Sequence, residues 1–322
     1  MANITVSTPV HNFLRSSRKR DMQDLLSIPL PFAAFTHTLT QSEWRKAAKF
    51  TSTKSTNVVR VLLTTTTGYA RILNYDGTWQ DVAGTGAPSE EFAVESKTPP
   101  TDGRPSFYAV IPCDASGNVD GDITGELSLA GNSLTSVDVT GLSSLTVIYL
   151  GNSRLTSFDG TGLSSLIALY LSNNLLTSVD VTGLSSLTDL YLNNNLLTSF
   201  DGTGLSSLDQ LFLQNNQLTS FDGTGLSSLT NLDVTNNQIA SFLVGDLQLE
   251  DRYNYYTALT LSNQQLDAAA LQVIYNDLPD GNSYGSYNNT LNVTGNPGAG
   301  AGSGTDPSVA TSKGWTIVGD VV

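Results

Sequence analysis

LTSVDVTGLSSLTVIYLGNSR (134–154), LTSFDGTGLSSLIALYLSNNL (155–175), LTSVDVTGLSSLTDLYLNNNL (176–196), LTSFDGTGLSSLDQLFLQNNQ (197–217) and LTSFDGTGLSSLTNLDVTNNQ (218–238) follow one another without insertion. The period is 21 residues, and it holds from about Leu127 to Phe242. Near-identical copies at constant spacing mark a solenoid, in which each copy is one coil and each coil buries its apolar side chains only against its neighbours.

Each position in the copy has a structural reading. Leu127, Ile148, Leu169, Leu190, Leu211 and Leu232 lie two residues before Leu129, Leu150, Leu171, Leu192, Leu213 and Val234. Alternation with period two points both rows inward from one short strand per coil. Leu134, Leu155, Leu176, Leu197, Leu218 and Ile239 continue the core after the turn. Val137, Phe158, Val179, Phe200, Phe221 and Phe242, with the leucines of GLSSL, form the opposite wall. Asn132, Asn174, Asn195, Asn216 and Asn237 stand where the chain leaves the strand. Their amides suit backbone groups that the turn would otherwise bury unpaired. Ser153 interrupts this ladder, so its coil is expected to turn less firmly.

The pattern Leu-x-Leu-x-x-Asn-x-Leu, with LTSVDVTGLSSL around it, resembles the 21-residue leucine-rich repeats of bacterial surface proteins and related phage virion proteins. The resemblance spans roughly residues 120 to 262. It implies a leucine-rich-repeat solenoid with short parallel β-strands and a mostly irregular convex side. It also implies a part in extracellular recognition or adhesion, which composition alone does not show.

Flanking segments read differently. FAAFTHTLTQSEW, NVVRVLLTTTTGYARILNYDGTW, EEFAVES and FYAVIPCDASG are β-branched and aromatic runs separated by turn residues, with a hairpin turn expected at Tyr75–Asp76–Gly77–Thr78. They predict a small all-β domain over 32–117, ahead of the repeats at 118–242. Residues 1–31, with a short helix at RKRDMQDLL, are expected to form an ordered leader that anchors the chain in an assembly. After Phe242 the period slips. Leu259 and Leu261, a helix at 266–279, a loop at 295–307 and GWTIVGDVV then predict an α/β cap over 243–322, with Gln264 where Asn is expected.

The residues alternating with the inward leucines make the concave face. Its central row is Ser128, Tyr149, Tyr170, Tyr191, Phe212, Asp233. Strands ~4.8 Å apart bring four of these rings into one stripe. Flanking rows supply Asp189 and Gln210 on one side and Asn193 and Gln214 on the other. Rings give contact area and amides give direction, which suits a sugar chain or a protein loop; mutual support across strands is the structural reading of the same rings.

Asp138, Asp159, Asp180, Asp201 and Asp222 form a second ladder, expected to close Asx turns onto the following Thr-Gly. Calcium held by these carboxylates, or by the acidic loop DASGNVDGDITGE (114–126), is the competing reading; no other cofactor is expected. Catalysis has little to stand on. His11 and His37 fall outside the repeats, Cys113 is the sole cysteine, and Asp189 and Asp233 lie two coils apart. A polysaccharide-acting enzyme built on those two carboxylates is the remote alternative.

Charge narrows the partners. Of 15 Lys+Arg, 12 lie at or before Arg104, whereas 19 of 29 Asp+Glu lie after Asp114. The N-terminal third is near +2 and the rest near −16, so the repeats repel phosphate backbones and nucleic acid is not expected. No stretch approaches the roughly 20 apolar residues of a spanning helix, and the N-terminus lacks the apolar core of a secretory signal. The combined expectation is a non-enzymatic phage virion surface protein of tail-fibre, spike or capsid-decoration type. It would attach to other virion proteins through its N-terminal region, as a homo-oligomer or part of a larger assembly, and meet host glycan or protein through the solenoid. A bacterial cell-surface adhesin is the alternative.

Overall fold

The computed structural model describes residues 47–52, 60–65, 69–74, 83–84, 92–95, 106–112, 122–247, 259–280, 289–299 and 304–319. The expected leader 1–31 and its helix, the 75–78 turn, His11, His37, Cys113 and residues 114–121 lie outside these. Two compact units are present. One runs to Ile148 and includes Ser153–Leu155; the other takes Tyr149–Asn152 and everything from Thr156.

The first unit sets antiparallel strands beside the earliest coil. Ala48–Ser52 lies between Ser106–Pro112 and Leu134–Asp138, with Phe50 opposite Tyr108 on one side and Val137 on the other. Arg60–Thr65 lies between Phe92–Glu95 and Ile123–Ser128. Phe50 and Tyr108 are buried and stack at 5.6 Å between centroids. Buried Lys49 lies with its Nζ 3.5 Å from the Asp138 carboxylate; burial lowers its pKa, against the pull of Asp138. Both strands of the earliest coil are thus paired on an edge that would otherwise template association. The acidic loop expected at 114–126 is shorter than its sequence suggests, because Ile123–Ser128 is a paired strand.

The second unit is the solenoid expected from the repeats. Ala168–Tyr170, Asp189–Tyr191, Gln210–Phe212, Asn231–Asp233, Leu259–Thr260, Thr290–Asn292 and Thr316–Val318 stack as parallel strands in that order and in register. Leu169, Leu190, Leu211, Leu232, Leu259 and Leu291 point inward and are fully buried. On the convex side of coils 156–247 the regular pieces are two parallel pairs, Ser157–Asp159 with Ser178–Asp180 and Ser220–Asp222 with Ser241–Leu243. Between the two walls the Thr-Gly step turns the chain with φ of 82–87° at Gly162, Gly183, Gly204 and Gly225. Nothing lies within 4 Å of a Cβ built at these glycines, so backbone conformation rather than space demands the residue.

The opposite wall is filled in two ways. Phe158 and Phe221 are buried and are followed two residues later by Gly160 and Gly223, whereas the Val179 coil carries buried Val181 at that place. A Cβ on Gly160 would sit 2.9 Å from the Asp180 carbonyl oxygen and 3.4 Å from the Phe158 ring. Phe-x-Gly and Val-x-Val therefore occupy similar volume, as close packing requires. Val179 and Phe200, expected in the wall, are only half-buried.

At the C-terminal end, helix α1 (Ala268–Asp277) is shorter than expected because Asp267 caps it, its carboxylate accepting from the Ala270 amide at 2.8 Å. A short helix, α2 (Ser308–Ser312), follows where no helix was expected. Trp315 is buried and its Nε1 donates to the Pro279 carbonyl at 2.9 Å, closing the α/β cap. Among the described residues no helix is long and apolar enough to cross a membrane.

Candidate functional site: the concave face

Parallel register carries the central row across the face. Tyr149 and Tyr170 stack with centroids 4.5 Å apart at 9°, Tyr170 and Tyr191 at 4.7 Å and 28°, and Tyr191 and Phe212 at 4.7 Å and 25°. This spacing is the strand spacing itself, so the rings are stacked because the backbone stacks. All four are half-buried. Their near-parallel planes lie face to face, so within the row the faces cover one another, and the stripe offers ring edges and phenolic hydroxyls outward. The Tyr170 phenol is pushed up to about 12, first by burial, then by the neighbouring Tyr149, Asp189 and Tyr191.

The flanks are less exposed than the alternation suggests. Ala168 and Asn231 are buried, while Asp189 and Gln210 are half-buried beside the rings. Tyr191 Oη donates to Gln210 Oε1 at 3.4 Å, and Ser172 Oγ donates to Asn193 Oδ1 at 2.6 Å. Gln214 has its side-chain oxygen buried with no hydrogen-bond partner among the described residues.

Asp189 and Asp233 do not converge. Asp189 stands in register with Gln210 and Asn231, whereas Asp233 follows Phe212 in the neighbouring row. Each is held locally: Asp189 Oδ2 accepts from Thr188 Oγ1 at 2.6 Å, and Asp233 Oδ1 from the Thr235 amide at 2.9 Å.

Beyond Asp233, where the sequence reading ended the row, the face continues. The central row runs on through Asp233, Thr260 and Asn292, in register with one another, and Thr290 and Thr235 flank it. These are short hydrogen-bonding side chains. The L-T-L of 259–261 and L-N-V of 291–293 repeat the Leu-x-Leu spacing and could have placed them, but the wider coils obscure the period.

Two asparagine ladders hold the turn beside this face. Asn195 Nδ2 donates to the carbonyls of Leu171 and Leu192 at 3.0 Å each, and its Oδ1 accepts from the Leu176 amide at 3.0 Å. Asn216 and Asn237 repeat the set. Asn174 and Asn132 donate to the same class of carbonyl. Gln264 reaches the Ile239 amide and the Val234 carbonyl, and Asn296 extends the ladder into the cap. Ser153 is too short for this, and its Oγ is buried with no partner among the described residues. The residue before each rung is the second ladder, which the sequence reading missed. Asn152, Asn173, Asn194, Asn215, Asn236 and Asn263 adopt φ of 55–59°, a conformation Asn tolerates better than most residues. Their exposed amides link coil to coil, as Asn215 to Asn194 and Asn236 to Asn215 at 2.8 Å.

On the convex side, Asp138, Asp159, Asp180, Asp201 and Asp222 each accept from the backbone amide two residues on, at 2.8–3.0 Å. The Thr203 and Thr224 hydroxyls and amides hold the Asp201 and Asp222 carboxyls below the ordinary range. Among the described residues no three His, Cys, Asp or Glu side chains gather as a metal site would require.

No family model matches the chain, and no curated relative does. Two solved structures are similar over part of it. The functional domain of InlJ from Listeria monocytogenes is 22% identical over 60% of this chain and 44% of its own, with a TM-score of 0.42. A leucine-rich-repeat protein of Leptospira interrogans is 21% identical over 59% of each chain, with a TM-score of 0.36. The match spans less than two thirds of either.

Proposed function

We propose that this chain is a non-catalytic recognition protein that meets its target through the concave face. The observation that carries the reading is the row Tyr149, Tyr170, Tyr191 and Phe212. It presents four stacked aromatic side chains on an open, otherwise polar sheet, with Asp189, Asn193, Gln210 and Gln214 beside it. Half-buried aromatic rows with adjacent amides combine contact area with directional bonding.

The setting we propose is the surface of a phage particle, with the N-terminal region joined to other virion proteins in a homo-oligomer or larger assembly. The resemblance of the repeats supports this placement, and a bacterial cell-surface adhesin is the alternative. Stoichiometric co-purification with virions would favour the particle; recovery with bacterial envelopes would favour the adhesin.

Replacing Tyr170 and Tyr191 together with Ala tests the face itself. The expected result is an intact fold by circular dichroism and at least tenfold weaker binding to host cells or isolated envelopes. Undiminished binding by the double variant would end the concave-face reading.

A further inference from the structure

Lysine is seldom buried, because its ammonium loses hydration that few protein interiors restore. Lys49, in the strand Ala48–Ser52, is only 6% exposed. Its register partners are Ala109 on one side and Asp138 on the other, and Ala47 and Ala109 are fully buried. The Lys49 Nζ stands 3.5 Å from Asp138 Oδ2 and donates to the Ala47 carbonyl at 3.0 Å. The Asx turn at Asp138 does not call for this cation. Asp159, Asp180, Asp201 and Asp222 close the same turn, and the sequence from Leu155 to Asp251 holds no Lys or Arg. At Asp138 the register partner is a lysine, whereas Asp159 pairs with Asp180 and Asp222 with Leu243. As an ion pair the arrangement stabilises little, since desolvating two charges offsets their attraction. With one proton moved from Nζ to Oδ2, the same pair is an amine beside a carboxylic acid, with no charge to desolvate. Burial favours that form by lowering the Lys49 pKa, and Asp138 opposes it.

We propose that Lys49 and Asp138 condense into an intramolecular isopeptide bond that ties the strand Ala48–Ser52 to the earliest coil. The Nζ lone pair attacks Cγ of the protonated carboxyl group, and the N–C bond forms. Charge that develops on Oδ1 meets the Thr140 amide, already 2.9 Å away, a fixed N–H donor of the kind that stabilises tetrahedral oxyanions. The Cγ–Oδ2 bond then breaks. Oδ2 leaves as water, taking the acid proton and one proton from Nζ, so the amide forms without oxidant, cofactor or co-reactant. Two groups held this close react without the entropic cost of encounter. Both belong to the first unit, so the bond forms within it. Load entering through residues before Lys49 then passes to Asp138 and the repeats through one covalent link, bypassing the chain between them. The bond does not depend on what the concave face binds.

Intact-mass spectrometry of the full chain, after prolonged incubation of the folded protein at neutral pH, tests this. The chain should be lighter by one water than its sequence requires. Peptide mapping should recover the peptides of Lys49 and Asp138 joined as one branched species. On a denaturing gel the looped chain should run ahead of Lys49→Met and Asp138→Ala, both of which should show full mass. A wild-type chain at full mass would overturn the proposal, whether or not the two variants fold. So would a water loss that persists in Lys49→Met or is reversed by mild alkali, because succinimides at Asp-Gly steps such as Asp159–Gly160 lose water too.

Discussion

Ser153→Asn restores the rung that one coil lacks, and its effect can be worked from the other rungs. Asn195 makes three hydrogen bonds at 3.0 Å, two from Nδ2 to carbonyls and one from a backbone amide to Oδ1. By the offsets of its bonds to Leu171 and Leu176, Asn at 153 would set its Nδ2 toward the Leu129 carbonyl and its Oδ1 toward the Leu134 amide. The Leu129 carbonyl already accepts from Asn132, but Leu192 accepts from both Asn195 and Asn216, so double acceptance is built into the ladder. Two new bonds at ~1 kcal/mol each, with relief of the unpartnered Ser153 hydroxyl, outweigh ~1 kcal/mol of side-chain ordering. The net gain should be about 1–2 kcal/mol. Because a solenoid need not unfold in one step, native-state hydrogen exchange is the assay, read coil by coil. Amide protection around Leu134 and Leu155 should rise about five- to thirtyfold, with distant coils unchanged. The reciprocal variant Asn195→Ser should lose about 2–4 kcal/mol locally, since it leaves the buried Leu176 amide unpaired. If Ser153→Asn gains nothing and Asn195→Ser loses nothing, the ladder does not hold the turns as argued.

Two further outcomes are expected. The Tyr170 phenol, neutral to about pH 12 when folded and ordinary near 10 when unfolded, favours the folded state fully below pH 10. That contribution should be lost as pH rises from 10 through 12, and absorbance titration at 295 nm should show one tyrosine ionising late, absent in Tyr170→Phe. EDTA should leave the melting temperature unchanged, because the Asp138, Asp159, Asp180, Asp201 and Asp222 carboxylates already serve turn amides; a drop of several degrees reversed by calcium would assign them to a metal.

The repeat made the solenoid legible because its core obeys one local rule: an apolar side chain at fixed spacing meets its own copy in the next coil. Leu169, Leu190 and Leu211 could be placed without knowing anything distant. The aromatic row was legible for the same reason. How closely its flanks are held was not, since that depends on distances such as Tyr191 Oη to Gln210 Oε1 and Ser172 Oγ to Asn193 Oδ1. Likewise the first Asn of each Asn-Asn pair read as mere polarity, because its role lies in a positive backbone φ and in a hydrogen bond to its own copy in the neighbouring coil. Helix α2 was missed because five residues give too little periodicity to read, and Trp315 settles its place through a partner 36 residues away.

The paired fillings of the convex wall bear on how long such a molecule can be. Phe158 with Gly160, and Val179 with Val181, trade volume within a copy. The space at Gly160 is bounded by the Asp180 carbonyl and Leu184 of the next copy, groups that every copy carries at those places, and each copy closes its own turn through its own Asp and Gly. A copy can therefore be removed or duplicated as a block without redesigning its neighbours. The array behaves as a ruler graduated in 21-residue steps, on which reach is set by copy number and the count of rings follows from it.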